Sequence, residues 1–505
     1  MIQIHSYAEE KEPQITGSPT IREGGVKRKN LLDVLFLFLS LSVLTGITIS
    51  TASTMDEDIW WHLQTGRWIL AHHAVPARDM FSAHAAGQPW IAYSWLFDVF
   101  ASRLFDLGGY RAILALSTFA MLAYTAWATV FLSRFTSLVR AMILAFAAYT
   151  ALMPLKSPRP WLFTVLFFAA ELSLLWVARE RNRPTLLLPI VPLFALWANI
   201  HIQFVYGLAL IGLFAVELSL PASLRKALSA EPAPRLRGMW LWILLAASSF
   251  ATLLNPYGWN LYRVVAQYVT QTAPLTYVQE MQAMPFRNLM DWMVLLLICS
   301  AIFALGCARR KNLLLIAALA VSCYCGFRSR RDVWFPVTFA ILSLGAAIRS
   351  RAPAARPQSR RTYWIALPLA TAVTLCVLFF DPRFSGSAMH DAVEKRFPAK
   401  ASAYIESHAL HGPLFNPYGW GGYLIWRLPD MPVSIDGRAN LYEATLAASS
   451  NTIGGAKDWR GDADLKKAGT ILLDQGGPLA TVLRSDPRYR LLYEDSVAAV
   501  FQPAP

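Results

Sequence analysis

MDEDIWWHLQTGRWILAHHAVPARDMFSAHAAGQPWIAYSW, residues 55–95, follows directly on a long apolar segment. Three acids, Asp56, Glu57 and Asp58, therefore stand where the chain leaves a membrane. A helical pattern begins at once: Ile59, Leu63, Gly66 and Leu70 recur at three- and four-residue steps. Asp58 and His62 are four apart, which places them on one helical face. Trp60, Trp61 and Trp68 carry rings that favour the membrane–water interface. The stretch reads as a helix lying flat on the membrane with a carboxylate–imidazole face above it. Such a face suits chemistry on a lipid-borne substrate. The same residues also have a plainer role: Asp56 or Asp58 caps the helix, and the tryptophans anchor it.

Composition fixes the setting of this stretch. Of the 505 residues, 55% are hydrophobic and only 15% charged, against about 25% charged in a soluble chain. The chain reads as a polytopic membrane protein. Its net charge of +14 does not point to nucleic acid, because the basic residues sit in short loops between apolar runs, as orientation signals do. The five cysteines, Cys299, Cys307, Cys323, Cys325 and Cys376, lie within or at the ends of apolar segments. They show neither a disulfide framework nor a zinc spacing.

In chain order, residues 1–30 are polar and read as a disordered cytoplasmic tail. The run from Leu31 to about Ser53 is long enough to span. After the outer loop, placed at 55–109, Ile91–Leu107 is apolar but broken by Asp98, Arg103 and Asp106, and reads as a surface or re-entrant helix. Further spans are expected near 110–133, 138–154, 160–178, 185–199, 203–220, 239–256, 290–307, 312–327, 332–349 and 362–380, about eleven in all. The loops after alternate spans are basic: Arg134 and Arg140; Arg179, Arg181 and Arg183; Arg225 to Arg237; Arg309 to Lys311; Arg349 to Arg361. This puts the N-terminus in the cytoplasm and the C-terminal region outside. Residues 31–380 thus form a transmembrane domain, and 385–505 a small soluble α/β domain on the outer face. Helix is expected over Ala388–Leu410, and strands at Gly412–Phe415, Tyr423–Trp426, Pro432–Ile435, Thr470–Leu473, Arg490–Tyr493 and Ala498–Phe501. Gly421–Gly422 would allow a tight bend.

With this topology the unusual polar residues fall on one side. The outer loop joins Lys156 and Arg159 of PLKSPRP, Asn199 and His201 of a turn, the Asn255-Pro-Tyr-Gly turn, Glu280, and Arg328, Arg330 and Arg331. Polar groups at membrane depth are costly unless they line a cavity or pair. Asn199 and His201 could be only a polar turn. The three arginines run against the positive-inside rule; they could contact anionic headgroups or bind a specific phosphate.

At these residues the chain resembles the GT-C superfamily, integral membrane glycosyltransferases that use polyprenyl-phosphate-linked sugars. The likeness lies in an acidic first outer loop directly after the first span, then an amphipathic helix, then many spans. A closer resemblance is to a group of uncharacterised bacterial membrane proteins. It runs through D-x-D-x-W-W-H-L (Asp56 to Leu63), P-x-x-D-x-F-S (Pro76 to Ser82), W-x-N-x-H (Trp197 to His201), N-P-Y-G, and G-G-Y-L-I-W…D-G-R (Gly421 to Arg438). The chain departs from the better-known enzymes in the tryptophans and His62 after the acids, and in lacking their usual lysine-proline run.

The resemblance implies inverting sugar transfer at the outer face of a bacterial inner membrane, from a polyprenyl-phosphate donor to a periplasmic or lipid-linked hydroxyl. It implies Asp56 or Asp58 as base and His62 as its helper. Glu57, Asn199, His201, Arg328, Arg330 and Arg331 would bind substrate. Asp56 with Asp58 could instead hold a divalent cation, Mg or Mn. Membrane lipids are the other expected partners, with no nucleic acid. The competing class is a non-catalytic lipid- or glycan-handling scaffold. A transporter ranks last, because the polar residues gather at one face rather than at mid-membrane.

Overall fold

The computed structural model describes residues 33, 35, 37–44, 56–232, 234–351 and 360–504. The N-terminal tail lies outside these residues, and the first expected span is described only in part. Its Leu37, Leu41 and Leu44 are buried, the first two against Leu138, Met142, Ala366 and Ala370. Six helices are long and apolar enough to cross a membrane: Trp95–Leu132, Leu138–Leu155, Trp161–Arg181, Leu289–Gly306, Arg330–Arg349 and Tyr363–Phe380. Four shorter apolar helices, Pro184–Ile200, Phe204–Ser219, Gly238–Ala251 and Leu313–Arg328, lie at other segments expected to span. The chain is a multi-pass membrane protein. Exposed Trp240, Trp242, Phe250, Leu296, Phe303 and Trp364 suit a surface facing lipid rather than water.

The segment Ile91–Leu107 is helical from Trp95, and it breaks from the span that follows at Gly109, whose φ of 56° and ψ of −144° are not helical. Two of the three charges that broke the apolar pattern, Asp98 and Asp106, have partners. Asp98 turns inward to His62, and Asp106 meets Arg67 at 3.6 Å.

Two of the three tryptophans of helix Ile59–His72, Trp60 and Trp61, are core residues, and Trp68 is half-buried. Ile59, Trp60, Trp61, His62 and Leu63 are all buried. Trp60 sits among Tyr110, Phe397, Tyr423 and Trp426, with centroids 4.7–6.3 Å apart. The helix packs against Trp95–Leu132 on one side and Tyr418–Arg427 on the other. A core of this kind buries large rings that would otherwise cost about 1.5–3 kcal/mol each to leave in water.

The last 120 or so residues form helices and one four-stranded sheet. Its strands are β1 (Leu414–Phe415), β2 (Thr470–Asp474), β3 (Tyr489–Glu494) and β4 (Ala498–Pro503), in the order β1-β2-β4-β3. β1 and β2 are parallel; β2, β4 and β3 are antiparallel. Tyr423–Trp426 is not a strand: it lies in helix Tyr418–Arg427. Alternating aromatics read as a two-residue period, but Tyr423 and Trp426 are three apart and share the face toward Trp60. Gly421 and Gly422 make no bend. They thin the helix where it seats on the Ile435 carbonyl and the Glu57 backbone. Pro432–Ile435 makes only isolated bridges, Val433 to Ser82 and to Leu414, which pin the outer loop to this region.

Candidate functional site: a carboxylate cluster closed on an arginine

Arg159 is the centre of the outer polar face. It follows the short Met153–Leu155 helix and stands at the entrance of helix Trp161–Arg181. That helix is about 30 Å long, and Arg179 and Arg181 stand at its far end. Arg159 is 8% exposed. Its Nε donates to Asp56 Oδ1 at 2.7 Å and its Nη2 to Asp56 Oδ2 at 3.0 Å. Its Nη1 lies 2.8 Å from Asp58 Oδ2 and 2.5 Å from Glu280 Oε1. The same Glu280 oxygen is 3.9 Å from Arg331 Nη1. Acids of the first outer loop thus reach the arginine cluster through Arg159 and one further carboxylate.

Asp58 stands just before helix Ile59–His72, yet its side chain caps nothing. The plain capping role fails for Asp58, whose carboxylate points to Arg159, whereas Asp56 Oδ1 accepts the Asp58 backbone N–H at 2.9 Å. Gly437 makes room for it, because a Cβ there would overlap Asp58 Oδ1. Burial pushes the Asp58 carboxyl up to about 8, helped by Asp56, Glu280 and Glu57 and opposed by Arg159.

Three expected site residues do other work. His62 is buried; its Nδ1 is 2.6 Å from Asp98 Oδ1, and its ring stacks on Trp61 at 3.6 Å. Burial, with Arg159, His201 and Arg331 nearby, holds the imidazole well below its usual range, so it is neutral. One helical face was right, but Asp98 from another helix claims the ring. Asn199 accepts from Trp95 Nε1 at 2.8 Å and donates to the Ala195 and Leu254 carbonyls. These bonds tie helices together and leave no amide group for substrate. Glu57 turns to the C-terminal region, where Arg396 Nη2 is 3.2 Å away.

A cavity of about 140 Å³ opens beside the cluster. Val205, Val265, Val269, Leu275 and Met281 give it apolar walls. Polar groups gather at His201, Arg328, Arg331, Tyr93 and Tyr268. The Tyr93 and Tyr268 hydroxyls are 3.0 Å apart. Burial raises both phenols, and Asp58 and Arg331 are close enough to act on them. His201 is held by Thr164 at 2.9 Å, and burial and Arg331 keep it neutral. Arg328 donates to the Val269 carbonyl at 2.8 Å. Arg330 faces away into a second hollow with Glu280, 3.8 Å from Asp291. Only part of the expected outer polar set meets in this cavity. His201, Arg328 and Arg331 line it, whereas Asp58, His62, Asn199 and Arg330 do not.

The residues do not fit a divalent cation between Asp56 and Asp58. The guanidinium takes both oxygens of Asp56 and one of Asp58, the oxygens with which a cation between these two acids would have to be held. Among the described residues no three His, Cys, Asp or Glu side chains gather as a metal site.

Sequence reasoning noticed Arg159 and Glu280 but assigned them no role, and missed Tyr93 and Tyr268. Arg159 carried the same signal as Arg328 to Arg331, a basic residue on the side where basic residues are scarce.

No family model matches the sequence, and no curated protein matches it. Solved structures do. The oligosaccharyltransferase of Archaeoglobus fulgidus in its apo form aligns with a TM-score of 0.50 at 9% identity, covering 88% of this chain and 69% of that one. The chain shares the fold of that structure. ArnT from Cupriavidus metallidurans bound to undecaprenyl phosphate aligns with a TM-score of 0.49 at 12% identity, over 92% of this chain and 97% of that one. In this chain the acid cluster is built from the segment just after the first expected span and from two later loops.

Proposed function

We propose that this chain is a membrane glycosyltransferase that moves a sugar from a polyprenyl-phosphate donor to a hydroxyl of a periplasmic or lipid-linked acceptor. One observation carries the reading. The Asp58 carboxyl is joined through Arg159 and Glu280 to Arg331, which stands in a cavity that combines apolar walls with two arginines. The apolar walls suit an isoprenoid and the arginines its phosphate. In the reaction the acceptor oxygen forms a bond to the anomeric carbon from the face opposite the leaving group. The bond from that carbon to the phosphate oxygen breaks, and its electron pair leaves with the phosphate. Asp58 takes the acceptor proton. Arg331 and Arg328 stabilise the charge gathering on the phosphate, and the neutral His201 and the two phenols offer hydrogen bonds along its path. The test is transfer of labelled sugar from a polyprenyl-phosphate donor by the purified protein in lipid. No transfer with any hexosyl or pentosyl donor would defeat the reading.

Arg331→Ala should raise the KM for such a donor about tenfold or more, since hydrogen bonds to a charged group contribute about 1.5–3 kcal/mol. Arg330→Ala should change it little, because Arg330 points into the other hollow. Equal effects from both would break the assignment of the donor phosphate to the first cavity.

The fully paired state of the acids favours a second reading, a scaffold that binds lipid without turnover. Both oxygens of Asp56 are spent on Arg159. Loss of transfer in carboxylate variants that still fold separates the two.

The orientation follows from the basic loops. We assign the acid cluster and the C-terminal region to the periplasmic side of a bacterial inner membrane. Arg179, Arg181, Arg235, Arg309 and Arg310 converge around one hollow at the far end of helix Trp161–Arg181, as cytoplasmic loops would. Reporter fusions at Arg183 and after Asp381 should report opposite sides; the same side for both would overturn this.

A further inference from the structure

The position between the outer-loop acids is filled by part of the chain itself. Three carboxylates, from Asp56, Asp58 and Glu280, converge on one guanidinium at 2.5–3.0 Å. Asp56 and Asp58 come from the first outer loop and Glu280 from a much later one, and Arg159 touches all three. Acids crowded together at the half-buried depth of these three repel, and a cation among them relieves the repulsion. Proteins supply that cation as a bound metal or a basic side chain. A guanidinium is always charged, and its fork of donors matches carboxylates in pairs. Asp56 uses that fork with two parallel bonds. An octahedral or larger oxygen shell would need these same oxygens.

We infer that Arg159 is the resident cation of the site, a positioning residue that takes the place of a divalent metal and makes the protein independent of one. It holds Asp58 in place and links it through Glu280 to Arg331. The claim about the cation stands on this geometry. Its consequence, transfer that survives chelation, rests on the function proposed above.

Binding of Mn2+ to the full-length protein in lipid nanodiscs, followed by electron paramagnetic resonance, tests the claim without an activity assay. Wild type should bind no Mn2+ that Asp56→Asn removes. Arg159→Ala should gain one Mn2+ with a dissociation constant on the order of 10⁻⁴ M, the weak end for oxygen-ligand sites. The added Asp56→Asn change should abolish that gain. A wild-type Mn2+ site lost in Asp56→Asn would overturn the inference. So would a folded Arg159→Ala protein that gains none. If Arg159→Ala does not fold, the wild-type and Asp56→Asn pair still decides. Transfer activity is read separately: activity unchanged after chelator treatment supports the inference, and a loss of more than about tenfold (~1.4 kcal/mol) restored by Mn2+ overturns it. Absence of transfer under every condition would remove the proposed function and leave the Mn2+ result standing.

Discussion

Asp58→Asn should lower sugar transfer by about 10²–10⁴-fold, the usual contribution of a general base, and leave the protein folded. Asparagine fills the same space, and its amide can still meet Arg159. Only the ability to accept a proton is lost. The pH dependence follows from the raised proton affinity of this carboxyl. The base works when ionised, so the wild-type rate should climb as pH rises through about 8 and level off above it. Stability should run the other way. A carboxyl that is raised on folding favours the native state while it is protonated, and this contribution is lost as pH rises through about 8. Melting curves at about pH 6 and about pH 9.5 should show a fall in wild type that is smaller in Asp58→Asn, because asparagine does not titrate. Undiminished transfer in the variant would remove Asp58 from the chemistry. A flat rate profile across this range would remove the raised carboxyl from it.

Arg438→Ala should cost about 3–5 kcal/mol of stability, the range for breaking a buried charge network by removing one partner. Arg438 is 2% exposed. Its Nη1 lies 2.5 Å from Asp79 Oδ1. Its Nε and Nη2 bond both oxygens of Asp436, at 2.8 and 2.7 Å. Tyr442 donates to Asp436 at 2.5 Å. The guanidinium also sits 4.6 Å from the Trp90 ring and 5.3 Å from that of Phe81. Removing it leaves two buried carboxylates facing each other. Asp79, Phe81 and Trp90 belong to the outer loop, whereas Asp436 and Tyr442 belong to the C-terminal region, so the network fastens one to the other. The next residue, Gly437, abuts Asp58. Loss of the fastening should therefore loosen the acid cluster as well as lower the melting temperature. Arg438→Lys should recover only part, since an ammonium cannot make paired bonds to Asp436 while reaching Asp79. A melt unchanged by Arg438→Ala would show that the network does not hold the two regions together.

Both outcomes turn on contacts that local sequence pattern does not encode. Arg438 stands in the Asp436-Gly437-Arg438 run, directly after the strand expected at Pro432–Ile435. Its partner Asp79 lies 359 positions earlier, and nothing in periodicity links them. His62 shows the limit of helical spacing. Four residues from Asp58, it was expected to act with it. Helix Trp95–Leu132 instead brings Asp98 against its ring.

The membrane class, the apolar helices and the strands at 470–473, 490–493 and 498–501 were legible from the sequence alone. Hydropathy and two- or 3.6-residue periodicity are local properties, and they act whatever the rest of the chain does. The acid triplet and the out-of-place arginines were legible too, because charge at a membrane exit is rare enough to stand out. Tertiary structure decided which of these charges meet. It set Arg159 among Asp56, Asp58 and Glu280, turned Arg331 into the cavity and Arg330 out of it, and spent Asn199 on the core. Each outcome depends on how separate helices pack, and a buried charge takes whichever partner that packing brings within reach.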